Sequence, residues 1–161
     1  APLVQLLKTG DATAKTQAAG ALRNLACNTD NQFAIQRAGA AEPLVQLLRT
    51  GDVTGKTQAA GALRKLAWNS NNIVCVCAED VQPLVQLLRY GDAASKTQAA
   101  KAFTSLTSVT EYHIAVELAG AVEPLMELSK TGNDDQKSEA EEALQQLLRR
   151  VHVRIPVQAL I

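Results

Sequence analysis

Aromatic residues are nearly missing from this 161-residue chain, at 3% against 47% for all apolar types together. A core is affordable, but it must be built from leucine, alanine and valine. The shortage also removes the stacking platforms on which single-stranded nucleic acid is usually bound. Net charge is missing too, because 16 basic residues balance 16 acidic ones. The composition therefore gives no electrostatic reason to expect nucleic acid or an anionic membrane as partner. Long hydrophobic runs are absent: "IVCVCA" is the longest, far short of the roughly 20 residues of a membrane helix.

Cysteine and histidine are scarce. Cys27, Cys75 and Cys77 form no even, regular framework, so they are read as free thiols of an intracellular protein, cytoplasmic or nuclear. No second Cys/His pair accompanies Cys75 and Cys77 at ligand spacing, so neither metal nor other cofactor is expected. Cys75 aligns with Ile35 of a sister segment, which predicts a packing role on a helix. His113 and His152 have no nucleophile placed beside them by a motif, and no glycine-rich phosphate loop occurs. The sequence offers no catalytic site.

What the chain has instead is self-similarity. "PLVQLL" begins at Pro2, Pro43 and Pro83, and "PLMELS" at Pro124, giving spacings of 41, 40 and 41 residues. Residues 2–28 and 43–69 differ at five of 27 positions. Each complete unit reads as three helices. The first is short: "NQFAIQRAGA", "NNIVCVCAED" or "YHIAVELAGA". The second starts at the proline, where a missing N–H costs nothing. The third is the long "KTQAAGALRNLA" phrase, with Ala14, Ala18, Ala21, Leu22 and Leu25 as its apolar stripe.

Between the last two helices, Gly10, Gly51, Gly91 and Gly132 are expected in a left-handed closing turn. Asp11, Asp52, Asp92 and Asn133 are expected to cap the helix that follows. Units of this kind cannot bury their own stripe and must stack, which predicts an all-α solenoid. Residues 1–28 make a partial repeat without its first helix; 29–69, 70–109 and 110–150 make full ones. Glu141 stands where earlier copies have Ala19 and Ala60 and reads as a polar cap. Glu79 replaces the glycine found at 39 and 120, so distortion is expected there. Lys15, Lys56, Lys96 and Lys137 read as surface residues. The apolar tail 151–161 alternates like a strand. The tail and the uncapped start at Ala1–Leu7 are the candidate surfaces for self-association.

The 41-residue unit, with "PLVQLL…GD" followed by "ALRNLA", closely resembles the armadillo repeat over residues 1 to about 150. The resemblance implies a right-handed superhelix of three-helix units, acting as a non-enzymatic scaffold. It further implies that an extended peptide or partner segment lies in a concave groove lined by the third helices. Nuclear-import members carry a repeating Trp there, with Asn four residues later. The corresponding Trp positions here are Gly20, Gly61, Lys101 and Glu142, and the Asn positions are Asn24, Lys65, Ser105 and Gln146. Only Asn24 matches, so a nuclear-localisation-signal receptor is not expected. Gln17, Gln58, Gln98 and Glu139 lie one turn earlier, and Arg23 and Arg64 beside them. Arg23, Arg64, Lys65 and Lys101 make the front of the groove basic; Glu139 and Glu142 make its end acidic. An acidic or phosphorylated segment is the expected partner, because an Arg fork binds two oxygens at once. Gly20 and Gly61 should leave the front groove open and shallow.

Overall fold

A computed structural model describes residues 2–67 and 75–154, with side chains described as far as 149. Among the described residues ten α-helices follow one another: α1 (Pro2–Thr9), α2 (Ala12–Leu25), α3 (Thr29–Arg37), α4 (Ala41–Thr50) and α5 (Val53–Leu66), then α6 (Ala78–Tyr90), α7 (Ala93–Thr107), α8 (His113–Leu118), α9 (Val122–Thr131) and α10 (Asp134–Arg154). A 3-10 turn, Thr110–Tyr112, leads into α8. The third helices pack in a row, α2 on α5, α5 on α7 and α7 on α10. Each is backed by its own second helix, respectively α1, α4, α6 and α9. This is an α-solenoid.

Small residues set the spacing of the row. Ala19, Ala60 and Ala100 are wholly buried, where a longer side chain would push adjacent helices apart. Glu141, at the same position of α10, is exposed, as a cap requires. On the opposite edge, Leu25 is 44% exposed while its counterparts Leu66 and Leu106 are at most 1% exposed.

The caps form as expected. Asp11, Asp52 and Asp92 each accept the backbone N–H three residues on, at 2.8, 2.7 and 2.8 Å. Asn133 and Gln136 bond reciprocally at 2.9 and 3.0 Å. The glycines before them do not take the expected left-handed conformation. Gly51, Gly91 and Gly132 are extended, with φ near −70°. They must be glycine because a Cβ would lie 2.5–2.6 Å from the carbonyl oxygen four residues back. Left-handed backbone occurs instead at Gly39 (φ 75°) and Gly120 (φ 78°), between the first and second helices.

Unit three departs from this plan. Of the short helix expected at 71–80, residues 71–74 lie outside the described residues; residues 75–77 are non-helical, and α6 starts early, at Ala78. Glu79 therefore lies inside a helix and needs no left-handed turn. Asp80 holds the site that Ala40 and Ala121 fill elsewhere, and all three are buried. It accepts hydrogen bonds from the Cys77 N–H and thiol at 3.0 Å each, and faces Arg49 at 3.8 Å. Cys75 is exposed, so it does not pack as Ile35 does.

Two further expectations are corrected. Lys56 is not a surface residue: it is buried, and its Nζ donates to the carbonyls of Arg49 and Gly51 at the end of α4. Those carbonyls have no partner within the helix, and a cation suits that end of the helix dipole. Burial pushes the Lys56 pKa down, and Asp52 pulls it partly back. Secondly, α10 continues through Val151–Arg154, which had read as the start of a strand. Residues 155–161 lie outside the described residues, as does Trp68.

Candidate functional site

The row α2–α5–α7–α10 brings the expected groove residues onto adjacent helices. Gln17, Asn24, Arg64, Lys101 and Glu142 are exposed. Gln58, Lys65, Gln98, Ser105, Glu139 and Gln146 are partly buried, along with Gly20 and Arg23. α2 and α5 are offset by about one turn. This register sets Gln58 over Gly20 and Arg23 over Gly61.

The register changes the meaning of the two glycines. A Cβ at Gly61 would stand 2.6 Å from Arg23 Cδ, and one at Gly20 would stand 3.4 Å from Gln58 Oε1. Neither glycine opens a shallow place in the groove, contrary to expectation. Each is a seat for a side chain from the neighbouring layer. Gly61 is buried beneath the aliphatic stem of Arg23, which keeps the guanidinium end beside the groove. Glycine interrupts helix propensity at a cost of about 1 kcal/mol; here that cost accompanies a close cross-layer contact.

Other contacts stitch the layers together. The Thr57 hydroxyl donates to the Gln98 carbonyl at 3.3 Å, and Thr104 to the Glu139 carbonyl at 2.9 Å. Thr107 donates to Gln146 Oε1 at 2.7 Å, while the amide nitrogen of Gln146 donates to Glu142 at 3.3 Å. Gln146 is thus held by its own array. Arg23, Arg64, Lys65 and Lys101 form no ion pair among the described residues.

A cleft of about 400 Å³ adjoins these cations, bounded by Arg64, Lys65 and Ala67 on one side and by residues 108–111 on the other. The sequence reading missed Ser108, Thr110 and Glu111. The available signal was Val109, which stands where Asn28 caps α3 and cannot itself cap, so the chain enters α8 through a 3-10 turn.

His113 is 3% exposed and its Nε2 lies 2.5 Å from the Thr107 carbonyl, which fixes it as a donor inside the core. No group of His, Cys, Asp and Glu suited to a metal occurs among the described residues. None of the described helices is long and apolar enough to cross a membrane.

Comparison with known proteins agrees with the geometry. The armadillo/beta-catenin-like repeat model matches residues 1–27 and 28–68. None of the curated proteins matches the chain. Among solved structures, an engineered protein is 32% identical, with a TM-score of 0.69 over 91% of this chain and 61% of its own. A designed armadillo repeat protein in complex with the peptide (KR)4 is 28% identical, with a TM-score of 0.68 over 91% and 63%. A structure of computationally designed armadillo repeat proteins for modular peptide recognition is 28% identical, with a TM-score of 0.66 over 90% and 63%. The chain thus spans about three fifths of the length of these structures. Armadillo arrays are protein-interaction scaffolds, and with its stacked third helices and 41-residue units this chain belongs to the armadillo-repeat family.

Proposed function

We propose that the chain is a non-enzymatic scaffold whose row of third helices holds an extended, acidic or phosphorylated protein segment. The observation that carries this reading is the set of four cations, Arg23, Arg64, Lys65 and Lys101, unpaired among the described residues on three adjacent helices. Cations left without carboxylates on a surface row favour an anionic ligand, and Arg gives such contacts direction. The designed relative's (KR)4 peptide has the opposite charge, so this groove differs in specificity while sharing a fold. The three exposed thiols fit a reducing intracellular setting.

An array of immobilised 12-residue peptides of graded charge tests the reading. Acidic members should retain the chain, and the double variant Arg64→Glu, Lys65→Glu should lose at least tenfold in binding while keeping its helical circular dichroism. Unchanged binding by the double variant would sink the groove model. Leu6 and Leu25, 40% and 44% exposed, favour a second reading in which this edge mediates self-association. Light scattering of wild type and Leu25→Glu decides that point: a mass that is monomeric in both removes it.

A further inference from the structure

Resting on that groove reading, we propose that the cleft between the end of α5 and residues 108–111 is a subsite for the phosphate of a phosphorylated side chain in the bound segment. One wall carries two cations, exposed Arg64 and half-buried Lys65. Both belong to the last turn of α5, where the helix dipole favours positive charge, so the fold itself tolerates them together. The other wall carries Ser108 and Thr110. The Ser108 hydroxyl is engaged, donating to the Ser105 carbonyl at 2.6 Å. Thr110 lines the cleft, and its hydroxyl has no hydrogen-bond partner among the described residues, so it is available as a donor.

Arg64 is the counterpart of Arg23, but the next helix offers it no glycine seat. The position of α7 that corresponds to Gly61 is Lys101, a like charge in place of a seat. Lying across α7 is therefore unfavourable, in keeping with a place in the cleft wall. Glu111 also lines the cleft and opposes any anion there, so a ligand must make several contacts at once to bind. A carboxylate has one charge and two oxygens to offer. A phosphate carries roughly −1.5 to −2 charges and three acceptor oxygens, enough to engage Arg64, Lys65 and the Thr110 hydroxyl at once.

The test uses the intact chain and three libraries of 12-residue peptides, each with a single fixed central residue: phosphoserine, glutamate or serine. Fluorescence anisotropy should show at least tenfold tighter binding of the phosphoserine library than of the glutamate library. Arg64→Ala with Lys65→Ala should erase that preference, and Glu111→Gln should strengthen phosphoserine binding several-fold. Inorganic phosphate should shift the amide resonances of Lys65, Ser108 and Thr110. Equal binding of the phosphoserine and glutamate libraries overturns the subsite and leaves the groove standing. Absence of binding by any library overturns both. Shifts from inorganic phosphate without a gain for phosphoserine mean an adventitious ion only, and likewise overturn the subsite.

Discussion

Two of the turns into a second helix are closed by a glycine and the third by a carboxylate. Where α3 meets α4 and α8 meets α9, a left-handed Gly39 or Gly120 turns the chain and an alanine fills the buried site behind it. Before α6 residues 75–77 are non-helical, the helix gains three residues at its start, and Asp80 occupies the alanine's place. A buried carboxylate is tolerated only because the Cys77 N–H, its thiol and Arg49 answer it. The array therefore needs a tight turn and a filled site, and more than one chemistry supplies them.

That contrast can be broken most severely at Asp80. Asp80→Ala removes a helix cap and leaves Arg49 without its partner, and should cost about 2–3 kcal/mol in urea unfolding. A loss below about 0.5 kcal/mol, the scale of an ordinary surface change, would show that the carboxylate is not what closes this junction.

The glycines come next. Gly120→Ala meets nothing within 4 Å, so its loss is purely one of backbone conformation and should be about 1–2 kcal/mol. Gly39→Ala, near only the Lys8 ammonium at 3.8 Å, should match it. Installing the sister glycine in the odd junction should not help: Glu79→Gly lies inside a helix and should cost about 1 kcal/mol. A stabilising Glu79→Gly would mean that the early start of α6 is wrong.

The smallest effect belongs to Tyr112, where the odd junction touches the last unit. Burial, then the charges of Glu111 and Cys75, push its phenol from 10.0 up to about 12. A folded-state pKa raised in this way stabilises the fold fully below pH 10, and the contribution is lost as pH rises towards 12. Its hydroxyl is buried and unpartnered among the described residues. Tyr112→Phe should therefore change stability at pH 7 by no more than about 1 kcal/mol and flatten the alkaline decline. A decline as steep as wild type's would assign it to other groups.

The architecture was legible because repetition displays it: a residue that recurs at every layer, such as Ala19, Ala60 and Ala100, does the same work each time. The capping residues could be read for the same reason. What the sequence concealed lies in the differences between layers. Lys56 and Lys15 are the same letter in the same phrase, yet Lys56 is buried on the carbonyls of Arg49 and Gly51 while Lys15 is half-exposed. At 75–80 periodicity could not register that Asp80 would be buried, held by the Cys77 N–H and thiol and facing an arginine some 30 positions earlier. Gly20 and Gly61 were misread as open ground because their occupants come from neighbouring helices. The residues expected in the groove are on the row; their roles await the binding experiments above.

The seat that Gly61 provides for Arg23 has a consequence for how such an array diversifies. The charge presented by one repeat is positioned by a residue encoded in the next, 38 places along the chain. A single repeat transplanted elsewhere would carry its arginine but leave behind the surface on which that arginine lies. Recombination or engineering that moves one repeat at a time should scramble specificity at both boundaries of the graft. The smallest cassette that carries its recognition intact is a pair of neighbours.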